Sequence, residues 1–444
     1  MYFSKPQLLA LSSVITAALA TSTIPPTQRR NIVQSFNPHR NASSSITPLQ
    51  VGNGNFAFGA DVTGLQTFGQ FAIQSTTAWH NFSLPSTPGQ TAPDGRSYST
   101  FEKDSLAYMV LADFTGLDWW AHGRLVNYDM PNPAENNISN WLIQNPQRLS
   151  MANIGLYFGG NNVTEASLLD KSQDLDLWEG TITSSFQYNG HNVSVQVWCH
   201  PSDPVLGIEI KSELLSSGDL GVFFNFPYSD VNKFDAPYVG VWDTKATSNN
   251  TVDVQSTSSN TASFKHIIDS TIVRLDAEWS TKKTSLSGPL ADTNKFVLTP
   301  SDTDTLQLVV SFPADDSAFK KKLPSYNSIA SLSKTWWANY WTSGAFIDLS
   351  ATDNANATEL QRRIVLSQYL VAVNEASDNP PQGTCYVTKR TFAHWTMLIM
   401  CDRIRYDLYL NQKTVSLSDH LHYHRACEQR MVRQIPRKSP LNHS

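Results

Sequence analysis

From about Leu49 to Pro313 the apolar residues of this chain recur at every second position, and that period restricts the fold more than any other feature. Side chains of an extended strand point alternately to opposite faces, so this alternation describes strands with one dry face and one wet face. The stretch TITSSFQYNGHNVSVQVWCH, Thr181 to His200, shows it best. Ile182, Ser184, Phe186 and Tyr188 alternate with polar residues, Asn189-Gly190 suits the two left-handed positions of a type I′ turn, and Val193, Val195, Val197 and Cys199 alternate on the return. This spacing predicts a β-hairpin. Leu206, Ile208 and Ile210 continue the pattern, and Leu306, Leu308, Val310 and Phe312 repeat it. Many short strands separated by turn residues predict a mainly β protein built on a large antiparallel sandwich. Within it the Ser-, Thr- and Asn-rich segment Thr244 to Ser263 reads as a loop.

At Ser328 the period changes. SIASLSKTWWANYWTSG sets Ile329, Leu332, Trp336 and Tyr340, with Trp337 and Trp341, at helical spacings, and Gly344 follows as a stop. The aromatic stripe is expected to dock this helix on the sandwich. AFIDLS then reads as a short strand, and Thr358 opens a second helix with Gln361 at the capping-box position. Leu360, Ile364, Ser367 and Val371 share one face of that helix, which Leu366, Leu370 and Val373 widen. So broad a stripe calls for partners on more than one side.

The N-terminus looks like an export signal. Lys5, the apolar run Leu8 to Ala18 and the small-x-small site at Ala18-Leu19-Ala20 predict a signal peptide over residues 1–20 and an extracellular mature chain from near Thr21. That apolar run is too short to span a bilayer. Eight N-x-S/T sequons, at Asn41, Asn81, Asn137, Asn162, Asn192, Asn249, Asn356 and Asn442, agree with a secreted glycoprotein. Of four Cys, only Cys199 precedes Gln382, so no dense disulfide framework holds the main body. Charged residues are sparse at 16% and aromatics plentiful at 11%, which suits a β-rich protein that handles neutral polar ligands and argues against nucleic acid or membrane partners. Residues 383–444 differ from the rest. Their net charge is +6, against −11 for the remainder, a contrast that marks a separate segment.

PLQVGNGNFAFGADVTGLQTF, Pro48 to Phe68, resembles the opening of the six-hairpin glycosidases, the group that includes glycoside hydrolase families 65 and 95. Further matches follow in order: QSTTAWHNFSLP (Gln74 to Pro85), AHGRLVNY (Ala121 to Tyr128), WLIQNPQRLSMANIGL (Trp141 to Leu156), WWANYWTSGAFIDLS (Trp336 to Ser350) and ELQRRIVLSQYLVAVNEASDNPPQ (Glu359 to Gln382). The resemblance implies an N-terminal β-supersandwich of the galactose-mutarotase type over residues 21–320. A linker helix and strand would occupy 321–350, and the first helix of an (α/α)6 glycosidase domain 351–382. In such enzymes a barrel carboxylic acid protonates the glycosidic oxygen, and inversion sets two acids about 6.5–9.5 Å apart. The implied ligand is an oligosaccharide or other glycan. Gln382 would lie near the sugar, while Trp79 and His80 would offer a stacking face and a hydrogen-bonding group. Asn53 and Asn55, flanking Gly54, are read as holding the turn.

Nothing after Gln382 matches that group. Twelve helices of ordinary length and their loops need roughly 200 residues, and 62 remain, so the barrel is expected to be incomplete. Glu359, Glu375, Asp174 and Asp176 are read as structural charges, and the catalytic residues as unknown. His420, His422, His424 and Cys427 alternate in DHLHYHRAC, yet their spacing is that of no familiar metal site, so no metal or cofactor is assigned and the basic tail 383–444 is expected to fold weakly. Three readings stand: a secreted glycoside hydrolase-like protein, a non-catalytic carbohydrate-binding or structural β-sandwich, and, as the least favoured, a secreted protein that binds metal through the His420, His422 and His424 cluster. Oligomeric state is left open.

Overall fold

The computed structural model describes residues 24–44, 47–69, 71–80, 117–121, 123–128, 147–228, 247, 250–269, 271–314 and 322–377. The segment 1–20, Gln382 and the tail 383–444 lie outside these. After helix α1 (Pro26–Gln34) come strands β1 (His39–Arg40), β2 (Leu49–Gly52), β3 (Phe56–Ala60), β4 (Ile73–Ser75) and β5 (Trp79–His80). Next are β6 (Leu117–Ala121), β7 (Arg124–Tyr128), β8 (Gln147–Arg148), β9 (Asn153–Tyr157), β10 (Leu169–Asp176), β11 (Thr181–Tyr188), β12 (His191–Cys199) and β13 (Val205–Lys211). A short helix α2 (Leu214–Ser217) precedes β14 (Gly221–Asn225), β15 (Asn250–Thr257), β16 (Thr261–Ile268), β17 (Thr271–Trp279), β18 (Thr284–Ser287), β19 (Lys295–Pro300) and β20 (Thr305–Ser311). Two long helices close the described chain, α3 (Tyr326–Thr342) and α4 (Ala357–Asn374). Among the described residues no helix is long and apolar enough to cross a membrane.

The fold is mainly β. A nine-stranded antiparallel sheet runs β1-β10-β11-β12-β13-β20-β17-β16-β15 and a four-stranded one runs β18-β19-β14-β9. Phe264 of β16 meets Phe224 of β14 at 5.4 Å and Phe296 of β19 at 5.2 Å between ring centroids, so the two sheets share one aromatic core. The predicted hairpin forms as β11–β12, with Tyr188 opposite His191 and positive φ at Asn189 (51°) and Gly190 (80°). Its alternating residues Ile182, Phe186, Val193, Val195 and Val197 are all buried. A three-stranded sheet, β2-β3-β4, is buried throughout because β11 and β12 cover one side and α4 covers the other.

Four expectations need correction. The described part of the segment read as a loop contains β15 and the start of β16, paired from Asn250–Ile268 to Thr257–Ala262. Its Thr and Val residues fit an edge strand, and β-branched Thr favours extended backbone as readily as it favours turns. AFIDLS forms no strand. Gln361 instead grips that segment, its Oε1 accepting from Leu349 N at 2.7 Å and its Nε2 donating to Ile347 O at 2.7 Å, as a neighbouring strand would. Gln361 is thereby taken out of a capping box: α4 starts at Ala357 with no side-chain cap at Asn356. Finally, the docked face of α4 is Gln361, Val365, Tyr369 and Val373, whereas Leu360 is 52% and Leu370 41% exposed.

Helix α3 docks through its Trp residues as its sequence suggests, although Leu332 of the expected stripe is 43% exposed. Ser325 caps it, accepting from Ser328 N at 3.2 Å, and Tyr326 and Ile329 pack on Trp198, Val205 and Val309 of the nine-stranded sheet. At the other end Arg29 of α1 donates to the carbonyls of Trp341 (3.1 Å), Thr342 (3.3 Å) and Gly344 (3.2 Å). A cation there satisfies carbonyls that the helix itself leaves without partners and opposes the helix dipole.

Candidate functional site

Of the residues singled out as ligand contacts, Trp79 and His80 are described and Gln382 is not. Both described residues sit in β5, which pairs with β8 through Trp79–Arg148 and His80–Gln147. Being neighbours on a strand, they face opposite ways. Trp79 is half-buried, and its indole Nε1 donates to Thr76 O at 2.8 Å, which fixes the ring. His80 points inward and is fully buried.

Behind Trp79, His80 joins β5 to the turn between β16 and β17, distant in sequence. Its Nδ1 lies 2.9 Å from Thr271 Oγ1 and its Nε2 lies 3.3 Å from Asp269 Oδ2, across the turn between β16 and β17. Burial pushes the His80 pKa down, and the Asp269 charge opposes that shift. The same carboxylate, with burial, raises the Tyr228 phenol. His266 is also fully buried; its Nε2 lies 2.8 Å from Asn250 Oδ1, and burial, reinforced by His80, lowers its pKa to about 3. This interior therefore holds two neutral imidazoles at neutral pH. It orients β5 from behind and presents no face to a ligand.

The turn before β3 connects this rim to α4. Asn53 Oδ1 accepts from Asn55 N at 3.1 Å and Phe56 N at 2.9 Å, and its Nδ2 donates to His200 O at 2.9 Å and Asp203 O at 3.0 Å. Asn53 thus holds the turn, as its sequence position suggests. Gly54 has φ 86°, its N donates to Val373 O at 2.9 Å, and a Cβ there would overlap the Ala376 carbonyl. Asn55 O in turn accepts from Thr76 N at 2.9 Å, and Thr76 O holds the Trp79 indole. The end of α4, the Gly-Asn-Gly turn and Trp79 form one continuous rim. Described residues end at Ser377, five positions before Gln382.

The carboxylates have structural partners. Asp174 pairs with His39 at 2.8 Å, and Asp176 caps the turn before β11, accepting from Trp178 N at 2.8 Å and Glu179 N at 3.0 Å. Glu359 is fully exposed and receives hydrogen bonds from Arg362 and Arg363, which lower its pKa to about 2. Glu375 is buried at the C-terminal cap of α4. Asp61, not singled out from sequence, is buried within GADVTG and accepts from Thr63 N (2.9 Å), Thr63 Oγ1 (2.6 Å), Phe68 N (2.6 Å) and Gly69 N (3.0 Å). Burial raises its pKa while those donors oppose the rise. The Asp-x-Thr-Gly spacing, an Asx-turn signature, was the available signal. Cys199 is a buried free thiol whose pKa burial pushes up. Among the described residues no group of three or more His, Cys, Asp or Glu is placed to hold a metal ion.

No family model matches this sequence, and no curated protein matches it. Solved structures do. A protein described as a kojibiose phosphorylase, from the human microbiome, is similar at 10% identity over 79% of this chain and 40% of its own, with a TM-score of 0.41. A family 92 glycosyl hydrolase matches at 11% identity over 83% of this chain and 45% of its own, TM-score 0.39. A bacterial glucoamylase complexed with acarbose matches at 13% identity over 50% of this chain and 35% of its own, TM-score 0.34. The chain thus spans less than half the length of each of these three structures.

Proposed function

We propose that this chain is a secreted, glycan-handling protein of the glycoside hydrolase type, in which the β-sandwich seats the first helix of the layer that works on the sugar. The observation that carries this reading is the seating of α4 on the Gly52–Gly54 turn, since both partners lie in the stretches that resemble six-hairpin glycosidases. Hydrogen bonds from Val373 through Gly54 and from Asn55 through Thr76 link the end of α4 to Trp79, whose ring is the candidate sugar face. The reaction class implied by the resemblance is hydrolysis of a glycosidic bond by paired carboxyl groups.

The non-catalytic reading has its own support: Asp61, Asp174, Asp176 and Glu359 each hold a turn, a strand pair or a helix surface. Full-length secreted protein assayed with a panel of nitrophenyl glycosides and natural disaccharides, alongside binding to the same sugars, separates the two. Turnover above buffer selects the hydrolase. Binding without turnover, weakened by Trp79→Ala, selects the carbohydrate-binding protein. Neither turnover nor binding overturns both.

A further inference from the structure

The turn end of the β11–β12 hairpin borders a groove of about 650 Å³ that the proposed function does not use. Into it faces Asn192, the first residue of the sequon Asn192-Val193-Ser194. The strand period explains the arrangement. Val193 turns into the core, while Asn192, opposite Gln187, and Ser194, opposite Ser185, lie on the outer face. The groove offers both kinds of hydrogen-bonding partner: neutral Ser185, Gln187 and Thr305, the acceptor carboxylates of Asp170 and Asp304, and the donor ammonium of Lys211. His191 and Glu213 also line it and hold each other at 3.1 Å. Such a surface suits an uncharged ring carrying hydroxyls and an amide, which gives and accepts hydrogen bonds in about equal number.

We infer that Asn192 carries an N-linked glycan and that its first N-acetylglucosamine lies in this groove. Transfer joins Asn192 Nδ2 to the anomeric carbon of a lipid-diphosphate-linked oligosaccharide, the donor of the secretory route. The lipid diphosphate leaves with the electron pair of the broken bond, and the amide gives up one proton. The described sequons at Asn41, Asn162 and Asn356 are also exposed, but none of them lines this groove. Their sugars would stand in solvent; that of Asn192 would be sheltered on one side.

This inference rests on the secretion part of the proposed function and is independent of its catalytic part. The test is full-length protein secreted from a glycosylating eukaryotic host, with glycopeptide mass spectrometry and timed endoglycosidase digestion of native and denatured samples. Asn192 is expected to be occupied. In the native protein its glycan should be released about tenfold more slowly than those at Asn162 or Asn356, the ratio that one or two retained hydrogen bonds give. Denaturation should erase the difference, and Gln187→Ala should shrink it in the native protein. An unmodified Asn192 beside an occupied sequon elsewhere overturns the inference, as does equal release from native protein. Absence of glycan at every sequon of protein recovered from the medium overturns the inference alone, whereas protein that never reaches the medium overturns it together with the secretion reading.

Discussion

Helix α3 docks through ring faces and side-chain tips, whereas α4 adds to its side-chain contacts a close approach of backbone to backbone. Trp337 and Trp341 of α3 are buried; Trp337 stacks on Tyr369 of the neighbouring α4 at 4.6 Å, and Trp341 Nε1 donates to Leu177 O of the sandwich at 2.7 Å. On α4, Val373 O receives Gly54 N at 2.9 Å, Tyr369 Oη donates to Gln50 O at 2.9 Å, and Asn374 Nδ2 donates to Gln50 Oε1 at 2.8 Å. A Cβ at Gly52 would stand 2.7 Å from Val373 O, so two glycines set how closely α4 approaches. The contrast has a consequence. A seam of rings loses stability in proportion to what is cut away, because neighbours relax only partly into the space. A seam of backbone fails when anything is added, because peptide groups have nowhere to go.

The largest expected effect follows from that difference. Gly54→Val combines a branched side chain at φ 86° with overlap of the Ala376 carbonyl, and should cost about 3–6 kcal/mol in chemical denaturation. A Gly54→Val protein with the parent's denaturation midpoint would mean that α4 does not rest on this turn. Trp337→Ala removes a buried ring from the other seam and should cost about 3–5 kcal/mol. Unlike the first variant it should be partly restored by Trp337→Phe, which refills much of the space. Tyr369→Phe tests the seam's polar half: it leaves the buried Gln50 carbonyl without its phenol donor and should cost about 1–3 kcal/mol.

What the sequence revealed and what it hid divide along the same line. The strand period is a local property, so the β11–β12 hairpin and the buried faces of β13 and β20 were legible from residues side by side. So was the aromatic stripe of α3. The docked face of α4 was legible only in part: Val371 and Val373 of the expected stripe are buried, but Gln361 and the Tyr369 tip, which do not count in an apolar stripe, also hold it. At the candidate site, the adjacency of Trp79 and His80 drew notice, and strand alternation alone allows only one of the two to face outward. The partners that hold His80 lie near 270, almost 200 residues away, with no spacing to betray them.

Neither helix seam includes a histidine among the contacts named above, so acid sensitivity should come from the sandwich interior instead. His266 titrates near 3 when folded and near 6.5 when unfolded, so the unfolded chain binds the extra proton throughout that window. Stability from this group is fully present above about pH 6.5 and declines as the pH falls toward 3, by up to about 1.4 kcal/mol per pH unit. His80, also lowered by burial, adds in the same direction. Denaturation midpoints followed from pH 7 to pH 4 should fall in parallel for the parent, Trp337→Ala and Tyr369→Phe proteins. His266→Gln should flatten the dependence. An unchanged slope in that variant would place the acid sensitivity elsewhere.

The smallest effect belongs to the outer face of α4. Glu359 is fully exposed and held ionised, with a pKa near 2, by hydrogen bonds from Arg362 at 2.7 and 2.8 Å and from Arg363 at 2.7 Å. A glycosidase acid needs the reverse, an apolar setting that keeps its proton at working pH. Exposed ion pairs on a helix surface are also screened by water and salt, so little stability depends on them. Glu359→Gln should therefore leave the denaturation midpoint, sugar binding and any turnover at parent values, although Gly54→Val on the opposite side of the same helix disrupts the fold. A tenfold loss of turnover in Glu359→Gln with an unchanged midpoint would move the chemistry onto this face and reverse the roles assigned to the two sides of α4.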